Sequence, residues 1–370
     1  MSIGLAPLRE EFAGTGACYL AACTGGLPPA SAADAMRRDL DLWRSGGTSP
    51  AYYDEAVSRS REAFARLAGV ETDRVAIGSQ SSVFAGMIAA SVPDGAEVIC
   101  VDGDFSSVVF PFLQHERRGV RVRHVPLRGL ADAVNDATWL VVYSLVQSAT
   151  GEVADAAGIR AAAARVGARV LCDATQAAGW MPLRPELADA FVCHAYKWLC
   201  SPRGVCFLTV TPDFAAELTP INAGWYAGED PWVSCYGPSA PLASSARRFD
   251  VSPAWQAAAG AAPALELFAS ADIASVQQHD VGLADALAEA LGLPTRGSAI
   301  VTWPDARGDD LRALSAAGIV ASGRAGRARV AFHVWNDAGD VENALRVLGR
   351  SSERLSPTVS AGSRRGAPTR

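Results

Sequence analysis

The sequence lacks three features that would place it in a membrane or on nucleic acid. No run of 18 or more apolar residues occurs in the 370 residues, so we expect no membrane-spanning helix. The formal net charge is −6, whereas a nucleic-acid partner requires a concentrated basic surface. The first residues lack a basic segment leading into an apolar one, so we expect no secretion signal. A small-molecule partner in the cytoplasm is therefore favoured.

Metal-binding cysteine patterns are also absent. The chain has 8 cysteines, but no CxxC pair and no His/Cys cluster has the spacing of metal ligands, so no metal is expected. Four cysteines lie in apolar, β-branched runs where a free thiol behaves as a small hydrophobic side chain. These are Cys100, Cys172, Cys193 and Cys206. We therefore expect reduced, structural thiols, as in a cytoplasmic protein.

The hydrophobic content of 49% and the charged content of 19% indicate a folded protein with room for a large and a smaller domain. Strand-like runs alternate with Ala-rich, helix-like segments such as 82–90 and 154–166, which predicts an α/β fold. Several of these runs are continuously apolar, as in a parallel sheet covered on both faces. The predicted strands are 75–79, 97–102, 120–127, 139–146, 169–175, 190–196 and 204–210.

From about residue 251 the pattern changes to a small α+β unit. Helices are predicted over 254–268, 273–290 and 340–348, and strands over 299–303 and 328–335. The domain prediction is an N-terminal segment 1–45 packed on the small domain, a large domain 46–250 and a small domain 251–350. The Ser-, Pro-, Gly- and Arg-rich segment 351–370 is predicted to be disordered.

Chemistry is indicated by Lys197, which sits between Tyr196 and Trp198 at the end of an apolar run. A lysine there is costly to bury unless it is paired or used chemically. About two dozen residues earlier, Asp173 ends another apolar run. A pyridoxal phosphate (PLP) enzyme needs this pair, because the lysine forms a Schiff base with the cofactor aldehyde and the aspartate pairs with the protonated pyridine nitrogen. Taken singly, Lys197 also fits a surface lysine, and Asp173 a helix N-cap.

The segments 171–176 and 194–204 together resemble the class V aminotransferase family of PLP enzymes of fold type I. That family includes cysteine desulfurases, kynureninases, C–S lyases and some epimerases. The resemblance implies a large, mostly parallel seven-stranded sheet domain with a small C-terminal α+β domain. It also implies PLP as cofactor, an amino acid or cysteine conjugate as substrate, and a homodimer with active sites at the interface.

The resemblance further implies which residues hold the phosphate. Gln80, Ser81 and Ser82 follow a strand and open an Ala-rich helix, and a helix N-terminus favours an anion. His194 and Tyr196 match positions that reach the phosphate in the family. The segment 248–253 resembles one from which a hydroxyl residue crosses to the partner subunit's phosphate, so Ser252 is expected to act in trans.

Three further residues are implied for the cofactor ring. The position of Gln176 hydrogen-bonds the phenolic oxygen in related enzymes. Phe105 replaces the histidine that stacks on the pyridine in desulfurases, although a core phenylalanine is the alternative. Ser148 stands where desulfurases carry an asparagine near the cofactor oxygen, which is a departure from the family pattern.

For the substrate, the resemblance implies that Arg329 grips the carboxylate, a task suited to a planar guanidinium. Arg324 and Arg327 lie close in sequence, so the choice among the three stays open. Trp225 and Tyr226 lie in a Gly-Trp-Tyr loop similar to that of kynureninases and are expected near the substrate and the interface.

The segment 321–327 lacks the nucleophilic cysteine that desulfurases carry there, so persulfide chemistry is not expected. Three reactions that begin with removal of the α-proton remain open: C–S cleavage by β-elimination, transamination, and a kynureninase-like or decarboxylating reaction. Low lysine use and an Ala/Arg/Gly-rich composition suit a high-GC actinomycete and a specialised-metabolite role. Because the family includes C–S lyases without that cysteine, β-elimination is the favoured prediction among the three reactions. The alternative to an enzyme is a protein of the same fold that binds without catalysis. This alternative is disfavoured because such a protein would usually lack the lysine, and Lys197 is present.

Overall fold

The computed structural model describes residues 2–14, 16, 18–238 and 241–349. The segment 351–370, predicted to be disordered, lies outside these residues. Within them the strands, in chain order, are β1 Cys18–Tyr19, β2 Val75–Gly78, β3 Glu97–Val101, β4 Arg121–Val125, β5 Thr138–Ser144, β6 Arg169–Asp173, β7 Ala190–His194, β8 Cys206–Val210, β9 Ile300–Pro304, β10 Ile319–Val320, β11 Ser322–Arg324 and β12 Arg327–Ala331.

No helix of the described residues is both long and apolar enough to cross a membrane. The α-helices, in chain order, are α1 Leu5–Glu10, α2 Ala30–Arg44, α3 Pro50–Ala68, α4 Ser81–Ser91, α5 Ser106–Leu113, α6 Leu130–Ala133, α7 Ala156–Val166, α8 Pro212–Glu217, α9 Trp255–Ser270, α10 Ile273–Ala290, α11 Asp309–Ala316 and α12 Ala338–Val347.

Several helix ends follow from local sequence. The Ser49 side chain accepts a hydrogen bond from a backbone N–H in the first turn of α3, and Gly69 ends that helix in the left-handed conformation. Asp272 caps α10 in the same way as Ser49 caps α3. Asp337 and Asp340 form a reciprocal capping box at the start of α12.

The large sheet has seven strands in the order β2-β8-β7-β6-β5-β3-β4. Strand β8 pairs antiparallel with both of its neighbours, and the other pairings are parallel. All seven predicted strands are present, which confirms the predicted α/β fold with a large, mostly parallel sheet. Helices cover both faces. Phe64 of α3, Ile159 of α7 and Leu265 of α9 lie in the core on one side, whereas Phe84 of α4 and Phe112 of α5 lie in the core on the other.

The smaller unit is built on an antiparallel sheet in the order β11-β12-β9, packed against α10 and α12. The N-terminal strand β1 pairs in parallel with β10 of this unit, and Leu20 lies in its core. Helix α2, in contrast, packs on α9. The strand predicted over 328–335 ends at Ala331, because the chain then turns and the His333 N–H donates to Asn336 Oδ1.

Candidate active site

The predicted cofactor residues meet at one edge of the large sheet. Strands β2, β3, β5, β6 and β7 run in the same direction, so their carboxyl ends lie along this edge. Asp173 and His194 are the last residues of β6 and β7, and Lys197 follows β7 directly. In open α/β sheets ligands bind beyond the carboxyl ends of the strands, and the candidate site occupies that position.

Lys197 is 5% exposed in the turn between β7 and β8. Its Nζ lies 5.4 Å from the centroid of the Phe105 ring and 5.7 Å from that of Tyr196. Among the described residues, none accepts a hydrogen bond from this amine or forms an ion pair with it. Burial lowers the pKa of Lys197 to about 8, although attraction to Asp173 opposes the shift. Near that pH a large fraction of the amine is neutral and nucleophilic.

Lys197 is also the only lysine in the 370-residue chain. Every other basic residue that is not histidine is an arginine, which cannot form a Schiff base with an aldehyde. This signal is present in the sequence but was missed when the motif was interpreted from spacing alone. It makes Lys197 the only side-chain amine that could bind an aldehyde cofactor.

The Asp173 carboxyl is buried at the end of β6, and its Oδ1 accepts a hydrogen bond from the Thr175 N–H at 2.8 Å. Burial raises the pKa of Asp173 to about 6, against the effect of the Thr175 hydrogen bonds and of Lys197. Thr175, which the sequence interpretation did not single out, also accepts from the His194 N–H at 3.0 Å. Its hydroxyl therefore joins the ends of β6 and β7.

An anion site is available at the N-terminus of α4. Gln80, the N-cap residue, is exposed and makes no side-chain cap, while Ser81 is buried and Ser82 half-buried. The Ser81 Oγ lies 3.9 Å from the sulfur of Cys206, which pairs in register with His194. The Nε2 of His194 is buried and has no hydrogen-bond partner in the described chain.

The His194 ring is held edge-on against Tyr196 at 4.4 Å between centroids. Burial lowers the pKa of His194 to about 4, and the charges of Arg203 and Lys197 act in the same direction. The imidazole is therefore neutral at physiological pH. A buried, neutral nitrogen without a partner is the kind of group that a bound phosphate oxygen satisfies.

Phe105 is 42% exposed over this edge, so it is not a core phenylalanine. Asp104 sets its position, since Oδ1 accepts from the Phe105 N–H at 2.7 Å and Oδ2 accepts from the Ser144 N–H at 2.8 Å. Gln147 Nε2 also donates to Asp104 Oδ2, at 3.1 Å. The aspartate thus anchors the start of α5 to the end of β5.

Both amide hydrogens of Gln176 are used within the protein. Its Nε2 donates to the Cys23 carbonyl at 2.9 Å and to Ser148 Oγ at 3.0 Å, while its Oε1 accepts from Trp198 Nε1 at 2.8 Å. Ser148 Oγ accepts a second hydrogen bond from Arg329 Nη1 at 3.0 Å. A hydroxyl has two lone pairs and one proton, so Ser148 keeps its proton free to donate.

Arg329 in β12 is fully buried and faces this edge. Its Nη1 also donates to the Ser148 carbonyl, its Nη2 donates to Thr24 Oγ1 at 2.9 Å, and its Nε donates to Ser322 Oγ at 3.2 Å. These acceptors are neutral, and no carboxylate within the described residues pairs with the guanidinium. Burial lowers its pKa, and the nearby Cys23 thiol opposes that shift. A buried, unpaired cation of this kind attracts an anionic ligand.

The three candidate arginines differ in their burial and in their hydrogen bonds. Arg324 is exposed, and Arg327 donates from Nε to Thr302 Oγ1 at 3.0 Å and from Nη2 to the Thr302 carbonyl at 3.1 Å. Only Arg329 of the three is fully buried and bonded to Ser148.

Three residues of the arginine site were missed from the sequence: Cys23, Thr24 and Ser322. The Cys23 sulfur lies 3.9 Å from Ser322 Oγ, and the thiol acts electrostatically on both Lys197 and Arg329. Cys23 and Thr24 are about 300 positions away from Arg329 along the chain. No local pattern marks them, and only the pairing of the N-terminal strand with the small unit brings them here.

Ser252, Trp225 and Tyr226 lie elsewhere in the chain. Ser252 is exposed. Tyr226 OH donates to Asp54 Oδ1 on α3 at 3.1 Å, and the Trp225 ring packs on Trp232 at 5.0 Å. Among the described residues, no hydrogen bond or ring contact joins this loop to Lys197 or Arg329. Their predicted roles at the substrate and the interface stay predictions.

Comparison with known proteins agrees with this geometry. Residues 43–302 match the family model described as aminotransferase class-V. The uncharacterised aminotransferase YcbU of Bacillus subtilis is 27% identical over 270 residues, covering 70% of this chain and 71% of that protein. A kynureninase of Salinispora tropica is 29% identical over 335 residues, covering 80% of this chain and 77% of that protein.

Among solved structures, two of C-DES superpose on this chain with TM-scores of 0.83 and 0.81, each at 21% sequence identity. The alignments cover 93% and 90% of this chain and 99% and 97% of those chains. One structure, of a lysine-to-alanine variant, holds glycine linked covalently to PLP. The other is a complex of C-DES, a cystine C–S lyase, with its reaction product cysteine persulfide.

The chain belongs to the aminotransferase class-V family, and its cofactor is pyridoxal phosphate. The residues at the carboxyl edge fit that group. A buried lysine without a partner suits the aldehyde, a buried aspartate suits the ring nitrogen, and an uncapped helix N-terminus beside an unpartnered histidine nitrogen suits the phosphate.

Proposed function

We propose that this class V enzyme cleaves the C–S bond of a cysteine S-conjugate by β-elimination, in the biosynthesis of a sulfur-containing specialised metabolite. The observation that carries the proposal is the presence of two buried basic side chains in one site. Lys197, the only lysine, has a pKa near 8 beside Asp173, and Arg329 is a guanidinium without a carboxylate partner. The first suits removal of an α-proton and the second suits an amino acid carboxylate.

When bound, PLP supplies an electron sink for the charge left at Cα. In this proposal Lys197 holds the cofactor and then takes the α-proton at Nζ. Asp173 keeps a proton at the ring nitrogen: burial alone raises the pKa of its carboxyl, and a protonated ring nitrogen beside it would favour the carboxylate. The N-terminus of α4 and His194 Nε2 receive the phosphate, Phe105 covers the ring, and Tyr196 orients His194.

We further propose that Ser148, rather than Gln176, donates to the cofactor's phenolic oxygen. Both amide hydrogens of Gln176 are used on Cys23 and Ser148, whereas the Ser148 proton is free. Gln176 then acts as a positioning residue. This assignment accounts for the departure from the asparagine of desulfurases, because a serine whose lone pairs are both used has a fixed donor direction.

C–S cleavage without an enzyme persulfide is favoured by the hairpin that joins β11 and β12. The desulfurase cysteine belongs to a loop at this place, but here Ala325 and Gly326, both with positive φ, form a two-residue turn. Such a turn has neither a thiol nor the length to carry one to the substrate. The description of C-DES as a C–S lyase supports the same reaction.

The test is incubation of the holoenzyme with S-substituted cysteines and with common amino acids. β-Elimination consumes one water and yields thiol, pyruvate and ammonium in equal amounts. A stoichiometric keto acid that keeps the sulfur would establish an aminotransferase, as the relationship to YcbU allows, and carbon dioxide release would establish a decarboxylating reaction. A kynureninase-like product would be an amino acid formed by cleavage further along the side chain.

Cys23→Ser is the matched control, because Cys23 is the thiol that the structure brings beside Arg329. Under β-elimination this variant should retain thiol release within about threefold, since no sulfur is transferred to the protein. If the variant loses activity and the wild type accumulates a persulfide on Cys23, the enzyme is a desulfurase of unusual geometry. A protein that binds PLP yet turns over none of these substrates would support the non-catalytic alternative.

A homodimer with a shared active site is also proposed. Ser252 is exposed in the single chain, as a residue reaching a partner subunit must be before assembly. The loop that carries Trp225 and Tyr226 also exposes large apolar side chains, with Tyr236 94% exposed, and such patches mark interfaces. Sedimentation at micromolar and nanomolar concentrations, with activity measured at each, tests this: full activity in a monomer would contradict it.

A further inference from the structure

A buried pair of titratable side chains, His333 and Asp280, lies behind the Lys197 turn. Both are fully buried, and His333 Nδ1 lies 3.1 Å from Asp280 Oδ2. On its other side, His333 Nε2 lies 2.9 Å from the carbonyl oxygen of Trp198, the residue after Lys197. Neither side chain has a role in the proposed chemistry, and both belong to the smaller unit, whereas Lys197 belongs to the large sheet.

The Lys197 turn is held through four consecutive carbonyl groups, at residues 195 to 198. Three of them accept from backbone N–H groups: Ala195 from Ser201, Tyr196 from Gly26 and Lys197 from Cys200. The fourth carbonyl, of Trp198, accepts from the His333 side chain. The Cys200 thiol, a weak donor, lies 3.8 Å from the same oxygen, so His333 provides the strong side-chain hydrogen bond to this turn.

The two bonds of His333 determine its protons. A carbonyl oxygen only accepts, so Nε2 must carry a hydrogen toward Trp198. The contact between Nδ1 and Asp280 Oδ2 then requires a second proton shared between them. Asp280 therefore fixes both the orientation and the protonation of the ring, as a carboxylate does for a catalytic imidazole. The charged or titratable groups around the pair are His279, Arg9 and Cys200.

The geometry around Trp198 leaves only a weak substitute donor, the Cys200 thiol at 3.8 Å. A Cβ at Gly179 would lie 2.4 Å from the Trp198 carbonyl oxygen, so the backbone there is already in contact. Cys200, two residues further, holds a left-handed conformation with φ 54°, which a non-glycine residue keeps only when its surroundings enforce it. Loss of the His333 bond would let this turn relax.

We propose that His333 and Asp280 are positioning residues that hold the Trp198 carbonyl and thereby fix the Lys197 amine for reaction. The inference rests on the proposed function only in taking Lys197 as the reacting amine. It also links the two halves of the site, because His333 follows Arg329 by four residues. The segment that anchors the substrate carboxylate therefore also fixes the lysine turn.

The single lysine makes a direct test possible. Protein labelled with ¹⁵N at the lysine side chain has one Nζ signal, so the Lys197 amine can be titrated by NMR in the apoprotein and its cofactor band followed by absorbance in the holoenzyme. In His333→Phe we expect the Nζ titration midpoint to move by at least one pH unit from its wild-type position near 8. We expect kcat to fall at least tenfold with KM within twofold.

Asp280→Asn is the conservative variant, because its amide can donate to Nδ1 and keep the Nε2 hydrogen on Trp198. It should retain the wild-type midpoint and kcat within threefold, whereas Asp280→Leu should behave like His333→Phe. Asp189→Asn is the matched control: Asp189 is buried in ion pairs with Arg160 and Arg169 but does not contact the Lys197 turn. It should lower stability without moving the Lys197 signal.

An unchanged midpoint and kcat in folded His333→Phe would overturn the inference. If that variant does not fold, equal behaviour of Asp280→Asn and Asp280→Leu would overturn it as well. Failure of the proposed function is distinguished by borohydride reduction of the wild type. If reduction leaves no cofactor on Lys197, the proposed function fails, whereas attachment with unmoved titrations rejects only the positioning role.

Discussion

The two sides of the candidate site are built in opposite ways. On the large-sheet side, Lys197 Nζ and His194 Nε2 have no hydrogen-bond partner within the described chain. On the small-sheet side, the Arg329 guanidinium donates to Ser148, Thr24 and Ser322, and only its charge is uncompensated. The first side has polar atoms that a resident cofactor would satisfy. The second is preorganised, so that an anion enters without rearrangement.

Because the two sides differ in this way, substitutions on each side should affect a different step of the reaction. Residues of the large-sheet side should change cofactor binding and the chemical step, whereas Arg329 should change substrate affinity. The pKa shifts follow the same division. Asp173 and Lys197 are shifted toward their neutral forms by burial, to about 6 and about 8, so each can exchange a proton near neutral pH.

Among the substitutions considered, Lys197→Ala should have the largest effect on activity. It removes the only side-chain amine, so the cofactor absorbance of the Schiff base should vanish and turnover should fall by roughly 10²–10⁴-fold or more. Absorbance spectra and steady-state assays measure both effects, and circular dichroism verifies the fold. Borohydride reduction should link one cofactor per wild-type chain and none to the variant. Undiminished turnover in Lys197→Ala would refute the large-sheet side as the site of chemistry.

Asp173→Ala should have the next largest effect. Without the carboxylate the ring nitrogen loses its proton partner, so removal of the α-proton should slow by about two orders of magnitude or more, each tenfold step corresponding to about 1.4 kcal/mol of barrier. The kinetic isotope effect with α-deuterated substrate should rise, because proton removal becomes rate-limiting. Thr175→Val is the matched comparison and should have a smaller effect, since the Asp173 carboxyl and its bond from the Thr175 N–H remain, and only the hydroxyl contacts to Asp173 and to the His194 N–H are lost.

A comparison of KM in Arg329→Gln and Arg327→Gln tests which arginine binds the substrate carboxylate. A lost charged hydrogen bond is worth about 1.5–3 kcal/mol, so KM should rise about 10–100-fold in Arg329→Gln. Arg327 bonds only Thr302 among the described residues, and its variant should keep KM within about twofold. Equal KM changes in the two variants would contradict the choice of Arg329.

The smallest effects are on the stability of the apoprotein. Asp173 has a folded pKa raised to about 6, so the folded state binds more protons than the unfolded one between pH 4 and 6, and the free energy of unfolding should fall as pH rises through this window. Lys197 has a folded pKa lowered to about 8, so its contribution to the free energy should rise between pH 8 and 10.5. Each contribution amounts to at most about 3 kcal/mol. Buried thiols such as Cys172, whose pKa burial raises, act in the opposite direction over the same range.

Urea unfolding across these pH ranges measures the two slopes. Asp173→Asn should flatten the acidic slope, and Lys197→Met should remove the Lys197 contribution to the alkaline one. Because the two groups attract each other, Asp173→Asn should also extend the Lys197 window to lower pH. Slopes that persist in both variants would mean that other groups carry them.

The sheet and the pairing of Lys197 with Asp173 could be predicted from the sequence. The seven strands are found within about two residues of their predicted ends, because continuous apolar runs bounded by turn residues fit only a doubly covered sheet. Helix α10 has its predicted bounds, since Asp272 caps its start. Lys197 and Asp173 could be paired from spacing, because parallel strands bring their carboxyl ends to one edge whatever the loops do.

The other contacts of the candidate site could not be predicted from the sequence, because they depend on how the chain packs. Cys23 and Thr24 reach Arg329, and His333 reaches Trp198, across separations of more than a hundred residues. Arg329 and Arg327 lie two residues apart on one strand, yet the first bonds Ser148 and the second Thr302. These hydrogen-bond partners depend on which surfaces the large-sheet unit and the smaller unit bring into contact. Local sequence periodicity fixes the face on which a side chain lies, but the partner on that face is set by packing.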